Sequence, residues 1–219
     1  MNIFTAIGQF FTNWGAKLAS TFLEDDRYMM LVEGLRNTAI ITLGALCIGI
    51  VIGALVAIIK YCGEGNPAMK PLCVLCDIYT TVIRGIPVVV LLLIFYFVIM
   101  KSASGISGGI AVGIVTFGIN SGAYMAELMR SGIGAVDAQA MKNILPAIGN
   151  EMIALLKETA VAGYVAVQDL TRAGNLIRNN TFDAFNPLMV VALTYLIIVV
   201  ALTWLLGRFE KRLHKGDRH

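Results

Sequence analysis

Six charged side chains sit in or beside two long, strongly apolar runs, and they are the first residues that could do chemistry. They lie between residues 123 and 178 and are Glu127, Arg130, Lys157, Glu158, Asp169 and Arg172. An ionised side chain inside a membrane costs several kcal/mol unless it is paired or faces a protein-lined or wet interior. Such residues therefore indicate a path for a polar molecule, or ion pairs between helices.

The sharpest local signal is a group of polar residues in a segment that is otherwise apolar: Asn150, Glu151, Lys157, Glu158 and Thr159. Among them, Lys157 and Glu158 are adjacent charges. Adjacent residues of a helix diverge by about 100°, so the side chains of Lys157 and Glu158 must point towards different surfaces. One interpretation is that one of them pairs across an interface while the other lines a pathway. A structural ion pair with another helix is the alternative.

Further polar side chains lie in the preceding apolar segment. Asn120 and Tyr124 are four residues apart and share one helical face, where they could line a path or form hydrogen bonds between helices. Glu127 and Arg130 are three apart and can pair, which favours a structural role. Arg84 stands at the predicted cytoplasmic entrance of another span, where it could bind a lipid phosphate, cap a helix, contact a partner or extend towards the interface.

Composition identifies the elements that must position these residues. The chain is 58% hydrophobic and 14% charged over 219 residues, with a mean hydropathy of +0.78. Residues 38–59 and 187–207 each reach the roughly 20 residues that cross a bilayer. Three further spans are predicted at about 87–100, 108–129 and 144–168. The sequence thus predicts an all-α integral membrane protein with about five transmembrane helices.

The distribution of basic residues predicts the orientation. Five of them follow the last span: Arg208, Lys211, Arg212, Lys215 and Arg218. The positive-inside rule places this tail in the cytoplasm, and an odd number of spans then places the N-terminus outside. We expect an interfacial or periplasmic segment at 1–32, a transmembrane domain at 33–207 and a cytoplasmic tail at 208–219.

Small residues and proline indicate how the helices pack and where they begin. Gly49 and Gly53 are four apart, as are Gly118 and Gly122, a spacing that lets helices approach closely in a membrane. Pro146 is predicted to lie near the start of the fourth span, because a proline is tolerated where no backbone donor is needed.

Several function classes are excluded by missing motifs. The sequence has no phosphate-binding G-x-x-x-x-G-K-[ST] and no H-E-x-x-H. Cys73 and Cys76 form a lone C-x-x-C with no second pair or nearby histidine, so no metal site is predicted. A net charge of +3 is too small to indicate a nucleic-acid partner. The chain is not expected to be an enzyme.

Six short motifs occur in chain order across most of the sequence. They are EGLRNT at 33–38, IRGIP at 83–87, GAYMAE at 122–127, LPAIGNE at 145–151, LLKET at 155–159 and QDLT at 168–171. With these motifs the chain resembles the permease subunits of bacterial ABC importers for polar amino acids, of the histidine, glutamine and arginine type.

The resemblance implies a type I importer core in the bacterial cytoplasmic (inner) membrane. The expected partners are a second permease subunit, identical or related, two ATPase subunits that bind the ATP, and a periplasmic or lipid-anchored solute-binding protein. The substrate would be an amino acid, and this chain would carry no cofactor. By the same resemblance, the residues expected to line the path are Asn120, Tyr124, Lys157, Glu158 and Thr159.

One segment departs from the family pattern. In the family, the loop between the third and fourth spans carries an E-A-A-x-x-x-G motif that docks on the ATPase. Here Asp137 and Ala138 are followed directly by Gln139, where the family pattern resumes, so the coupling loop is shortened. The sequence therefore predicts weak or absent ATPase binding and leaves two functions open. The chain is either an importer permease or an uncoupled paralogue that acts as a pore or scaffold.

Overall fold

The computed structural model describes residues 3–101, 105–133 and 139–215. Its regular structure in these ranges is helical, as the sequence predicts. The α-helices are α1 (Ile3–Leu23), α2 (Tyr28–Gly63), α3 (Lys70–Gly85), α4 (Val88–Ile94), α5 (Gly105–Ile133), α6 (Gln139–Glu158), α7 (Leu170–Thr181) and α8 (Phe185–Lys215). A π-helical turn, Phe95–Ile99, extends α4, and a 3-10 helix, Thr159–Val165, extends α6.

Three segments of the described chain are long and apolar enough to cross a membrane: Tyr28–Gly63, Gly108–Gly132 and Phe185–Leu213. They contain the predicted spans 38–59, 108–129 and 187–207. The predicted span 87–100 corresponds to α4 and its π-helical turn, which qualify only together with α3 as one bent span, making up to four. The predicted span 144–168 is not among these candidates, because α6 (Gln139–Glu158) is long enough but not sufficiently apolar: it contains Lys142, Glu151, Lys157 and Glu158.

Glycines fit α2 closely against α5, as the four-residue spacing predicts. A Cβ on Gly49 would lie 2.8 Å from Ser121 Oγ, and a Cβ on Gly53 would lie 2.4 Å from Met125 Cβ. Only a residue without a side chain allows this approach. Because the contacting numbers rise together along both helices, α2 and α5 run in the same direction.

Because α2 and α5 are parallel neighbours, the chain between them must return to the side of the bundle where α2 begins. That return consists of α3 and then α4, which is bent from α3 by 105°. The break falls at Ile86, which is in extended conformation, and at Pro87, which caps α4. Proline disfavours a helical residue before it, which accounts for the break at this position.

The helix α6 runs antiparallel to α5. Ile144 packs in a cluster with Met129 near the C-terminal end of α5. At the opposite end, Val167 lies 2.9 Å from the position of a Cβ on Gly109. The α6 segment and its 3-10 extension therefore cover most of the length of α5. Two thirds (67%) of the apolar window of α5 is buried, against 6% for α8, so α5 is the central helix.

The expectation that Pro146 lies near a helix start is wrong, because α6 begins at Gln139 and Pro146 lies inside it. A proline inside a helix removes one backbone donor. The helix continues through it and buries Ile153 and Leu155 further along. Packing of this apolar face outweighs the missing hydrogen bond.

Aspartates begin the last two helices. Asp169 caps α7 by accepting hydrogen bonds from the amides of Thr171 and Arg172. Asp183 accepts from the amides of Phe185 and Asn186 at the start of α8. A carboxylate at these positions satisfies amides that have no partner within the helix. Both helix starts are therefore determined locally.

The N-terminal helix α1 is attached at the end of the molecule where α8 begins. The indole of Trp14 donates to Asn186 Oδ1 at 2.8 Å, and Lys17 Nζ lies 3.6 Å from Asp183 Oδ2. The hydroxyl of Thr21 donates to the same carboxylate. Because α2 also begins here, residues 3–27 and the start of α8 lie on one side of the helix bundle.

Candidate functional site

The central helix α5 presents two different sides. Gly118 and Gly122 face α2, where Ile48 and Ile52 lie within 3 Å of the positions their Cβ atoms would take. At 100° per residue, Asn120 lies on nearly the opposite side. That second side faces α6 and carries the polar groups of the candidate site.

Asn120 and Glu158 meet between α5 and α6. The Nδ2 of Asn120 donates to Glu158 Oε2 at 3.2 Å. Asn120 is buried, with 3% of its surface exposed, and Glu158 is half-buried at the last position of α6. Two residues predicted to line one path are thus joined in the structure.

A second polar contact lies one residue further along α5. The hydroxyl of Ser121, which is fully buried, donates to Glu151 Oε1 at 2.9 Å. Glu151 was not among the predicted lining residues. It lies seven residues before Glu158, which is two helical turns, so both carboxylates share one face of α6. That spacing was the sequence signal that could have identified it.

Tyr124 extends the same side of α5 by one turn. Its ring is 38% exposed, and the Cζ of Arg84 lies 5.2 Å from the ring centroid. This distance is that of a cation–π contact. Arg84, predicted as an interfacial residue, is therefore placed beside a predicted lining residue.

The remaining two predicted lining residues point in different directions. Lys157 is exposed on the surface of the isolated chain, and Thr159 is fully buried with its hydroxyl donating to the carbonyl of Leu156 at 2.7 Å. The sequence argument that Lys157 and Glu158 face different surfaces is confirmed. Thr159 is placed at the turn where α6 tightens into its 3-10 extension.

The predicted pair of Glu127 and Arg130 is confirmed, with 3.7 Å between Oε2 and the Arg130 guanidinium. It belongs to a larger cluster, because Lys60 Nζ lies 3.5 Å from Glu127 and 2.6 Å from Asp77. These four residues join α2, α3 and α5 at one end of the bundle. Their mutual pairing indicates a structural role.

Two of the three residues predicted at the coupling junction, Asp137 and Ala138, lie outside the described residues. Gln139 is the first residue of α6, and its side chain is not described. In the ranges that are described, no group of three or more His, Cys, Asp or Glu side chains could hold a metal ion.

A cavity of about 550 Å³ lies beside the candidate site, between the 3-10 extension of α6 and α7. Asp169, Arg172 and Asn175 are among its polar lining residues. The Arg172 guanidinium donates to the carbonyl of Gly163, and Asp169 caps α7. Neither Asn120 nor Glu158 lines this cavity, so it is distinct from the polar contacts of α5 and α6.

Comparison with known proteins identifies relatives over most of the chain. No family model matches. The chain is 31% identical over 211 residues to the glutamine transport system permease protein GlnP of Rickettsia bellii, covering 85% of this chain and 94% of the relative. It is 29% identical over 210 residues to the arginine transport system permease protein ArtQ of Bacillus subtilis, with the same coverage of both chains.

Two solved structures also superpose on most of this chain. A crystal structure of an amino acid ABC transporter with histidines superposes with a TM-score of 0.77 at 33% identity, covering 87% of this chain and 98% of that one. The methionine ABC transporter MetNI, in an inward-facing conformation, superposes with a TM-score of 0.65 at 19% identity and shows the fold alone. It covers 85% of this chain and 97% of the other. On these relatives, the chain belongs to the family of permease subunits of amino acid ABC transporters.

Proposed function

We propose that this chain is the transmembrane permease subunit of an ATP-driven importer and forms the path for a polar amino acid. The observation that carries the proposal is the polar contact of Asn120 with Glu158, made between helices of a membrane protein of this family. Ser121 and Glu151 extend it along the same two helices. ATP would be hydrolysed by a separate ATPase subunit, and a solute-binding protein would deliver the amino acid.

The helix directions support five membrane crossings. The chain would cross in α2, return through α3 and α4, cross in α5, return through α6 and its 3-10 extension, and cross again in α8. The contact of Gly149 on α6 with Leu206 on α8 fits this order. With the basic tail in the cytoplasm, residues 3–27 and the start of α8 lie outside. This arrangement is that of a type I importer core.

The exposed side chains beside the path support pairing with a second permease. Lys157 is exposed in the last turn of α6, next to the partly buried contact of Glu158 with Asn120. A lysine facing lipid at the centre of a span costs about 3 kcal/mol. A second permease subunit, identical or related, would cover this surface and place Lys157 and Tyr124 in a shared, wet interior.

The polar side chains fit the chemistry of a zwitterionic amino acid. The carboxylates of Glu151 and Glu158 can accept hydrogen bonds, and the amide of Asn120 can donate. No Lys or Arg nitrogen in the described ranges lies within 4.0 Å of either carboxylate. Their charge is therefore available to an ammonium group of the substrate. Closure of the ATPase pair would open the permease outward, and the substrate would bind the state that presents these groups.

The relatives support a shortened coupling loop. The matched part of this chain, 85% of 219 residues, is about 186 residues, whereas the alignment with the Rickettsia bellii protein has 211 positions. About 25 positions of that alignment (211 less 186) therefore have no residue from this chain. We place the shortening at Asp137, Ala138 and Gln139, where the sequence departs from the family pattern, and expect weakened docking of the ATPase.

Reconstitution tests the proposed function. The permease is purified with its ATPase and binding protein, inserted into liposomes and assayed for uptake of radiolabelled glutamine, arginine and histidine with ATP inside. The proposal predicts uptake that depends on ATP and the binding protein. Correctly folded permease that gives no uptake of any of the three, either as it is or with the relatives' loop inserted between Ala138 and Gln139, contradicts it.

Copurification tests the coupling loop. The ATPase is captured with the present chain and with a version in which the relatives' loop is inserted between Ala138 and Gln139. We expect the version with the inserted loop to retain more ATPase. Equal recovery contradicts the expected loss of docking, and leakage of amino acids without ATP would favour an uncoupled pore.

A further inference from the structure

An apolar groove of about 290 Å³ lies between α6 and α8. It opens to the surface of the chain, because Leu205 and Phe209 are exposed on its α8 side. We call it the α6–α8 groove, and its lining consists of apolar residues: Gly149, Met152, Ile153, Leu202, Leu205, Leu206 and Phe209. Side chains of this kind offer water no hydrogen-bond partner, so the groove suits an apolar occupant.

The α6–α8 groove is separate from the polar contacts that α6 makes with α5. Gly149 and Ile153, which line the groove, are four residues apart and share one face of α6. Glu151 is two residues from each of them, about 200° around the helix, and accepts a hydrogen bond from Ser121 on α5. The two faces of α6 therefore have different neighbours, and the groove does not belong to the proposed path.

The groove has the depth of the acyl chains in one leaflet of a bilayer. Residue 199 is halfway along the membrane-spanning segment Phe185–Leu213. At 1.5 Å per residue, Leu202 lies about 5 Å and Phe209 about 15 Å beyond this midpoint. The hydrocarbon core extends about 15 Å from its centre. The groove thus runs from the inner part of the leaflet to the edge of the hydrocarbon.

An arginine borders the groove where it reaches this edge. Arg212 is exposed and lies three residues after Phe209, so the two share one face of α8. Its position is about 20 Å from the midpoint of the span, which is the depth of the lipid headgroups. Arg208 adds a second positive charge on the same face one turn earlier, where its Cζ lies 4.3 Å from the ring centroid of Trp204.

The sequence around this end of the groove adds no negative charge on the same face. Glu210 is the one acidic residue between positions 202 and 213. It is two residues from both Arg208 and Arg212, and therefore points about 200° away from them. On the other side of the groove, residues 139–148 of α6 include Lys142 and no Asp or Glu. The occupant should therefore combine an apolar chain with an anionic group.

We propose that the α6–α8 groove binds an anionic phospholipid. One acyl chain lies along the groove from Leu202 to Phe209, and the phosphate lies at Arg212. A basic site between membrane helices at the bilayer surface favours a headgroup with net negative charge over a zwitterionic one, which brings its own cation. The bound lipid joins α6 to α8, and this inference does not depend on what the chain transports.

Native mass spectrometry of the full chain in detergent, titrated with lipid, tests the proposal. The probes are phosphatidylglycerol, which is anionic, and phosphatidylcholine with the same acyl chains, which is zwitterionic. The wild-type chain is expected to bind one phosphatidylglycerol at least about five-fold more tightly than phosphatidylcholine. Arg212→Gln should weaken binding of phosphatidylglycerol by about five-fold and leave phosphatidylcholine within about two-fold.

Lys211→Gln is the matched control for the charge. It removes the same charge from the neighbouring position, but Lys211 is two residues from Phe209 and therefore lies about 200° away from the groove. Its affinity for phosphatidylglycerol should stay within about two-fold of the wild-type value. A loss equal to that of Arg212→Gln would show a general attraction to the basic tail and would overturn the proposed site.

Leu205→Trp tests the acyl-chain part of the site by filling the groove. It should weaken binding of both lipids by about ten-fold, corresponding to lost contact with about two methylene groups. Leu196→Trp is its control, because Leu196 is equally exposed (57% against 55% for Leu205) and lies nine residues earlier, on the opposite face of α8. This control should leave both affinities unchanged.

Four further results would overturn the inference. They are equal binding of the two lipids by the wild-type chain, an unchanged affinity in Leu205→Trp, displacement of phosphatidylglycerol by inorganic phosphate, and a lipid-free dimer that Leu205→Trp dissociates. The third would reduce the site to an anion site, and the fourth would assign the groove to a second copy of the chain. Preferential binding that Arg212→Gln and Leu205→Trp both weaken supports the lipid site.

Discussion

The two sides of α5 differ in how they hold their neighbours. Towards α2, glycines bring the backbones into direct contact, and a Cβ on Gly53 would lie 2.9 Å from the carbonyl carbon of Met125. Towards α6, the contacts are hydrogen bonds between long side chains, from Asn120 to Glu158 and from Ser121 to Glu151. The contact with α2 leaves the helices no space to shift, whereas the side chains in the contact with α6 can exchange hydrogen-bond partners.

This difference suggests that the two sides of α5 have different roles. Close backbone packing provides a fixed reference in a membrane, where helix association depends on packing and not on the exclusion of water. Half-buried carboxylates on α6 can release one hydrogen bond and accept another when a substrate arrives. We therefore expect changes on the α2 side to affect folding and changes on the α6 side to affect transport.

The largest effect is expected from Gly53→Ala on the α2 side. The added Cβ would meet the Cβ and backbone of Met125, which cannot move without separating the helices. Overpacking of this kind typically costs about 1–3 kcal/mol, and here the contact includes backbone atoms. The yield of folded protein and its Tm in detergent measure the loss.

Gly207→Ala is the matched control, because nothing lies within 4 Å of a Cβ at that position of α8. Alanine is intrinsically favoured over glycine in a helix by about 1 kcal/mol, so this variant should be neutral or stabilised. Equal behaviour of the two variants would show that α2 and α5 are not in close contact.

The next effect is expected from Glu158→Gln on the α6 side. Glutamine keeps the shape and an oxygen acceptor for Asn120 but loses the charge that we propose to receive the substrate's ammonium group. Uptake of the transported amino acid should fall by about ten-fold, corresponding to the loss of one charge-assisted hydrogen bond. Membrane insertion and Tm should stay close to those of the wild type.

Glu127→Gln provides the comparison, because Glu127 is paired with Arg130 and Lys60 outside the candidate site. It should lower stability slightly and leave uptake per folded molecule unchanged. A loss of folded yield in Glu158→Gln with normal uptake by the remaining protein would indicate a structural role for Glu158.

A smaller effect is expected from Asp183→Asn, in a polar cluster outside the spans. Burial raises the pKa of Asp183, but hydrogen bonds from the Asn186 side chain and from the amides of Asn186 and Phe185, together with Lys17, hold it below its ordinary value. A lowered pKa adds stability that is present above the unfolded pKa of about 3.9 and is lost as the pH falls further. The variant should therefore lose about 1 kcal/mol at neutral pH.

The pH dependence of the Tm checks whether the pKa of Asp183 is lowered in the folded protein. The difference in Tm between wild type and Asp183→Asn should shrink as the pH falls below about 4, because the wild-type carboxylate is then protonated as well. A difference that is constant from pH 7 to pH 3 would contradict the lowered pKa. Uptake at neutral pH should not change, which separates this polar cluster from the one on α6.

The smallest effect is expected from Ser121→Ala, where the two sides of α5 meet. Ser121 Oγ donates to Glu151 and also borders the position of a Cβ on Gly49. Alanine removes the hydrogen bond, worth about 0.6 kcal/mol in a membrane, and eases the contact with α2. We expect a nearly unchanged Tm and a modest change in the KM for uptake. A large fall in Tm would show that Ser121 belongs to the α2 contact.

Much of the candidate site could be predicted from single residues in apolar surroundings. Asn120, Tyr124 and Glu158 are conspicuous because polar groups are costly within a span. Glu151 was noted among the polar residues of its segment but was not assigned to the path, because its contact with Ser121 depends on how α6 packs against α5. The contact of Arg84 with Tyr124 could not be predicted, because it depends on the angle between α3 and α4 and not on the neighbours of Arg84 in the sequence.

The sequence by itself determined the membrane location, the helical fold and the glycine spacing that packs α2 against α5. These features follow from local composition and from the 3.6-residue period of a helix. Only the tertiary structure decided that α2 and α5 run parallel, that α6 contains Pro146, and that Arg84 meets Tyr124. Such contacts join residues far apart in the chain, and the packing of whole helices, which no local pattern encodes, brings them together.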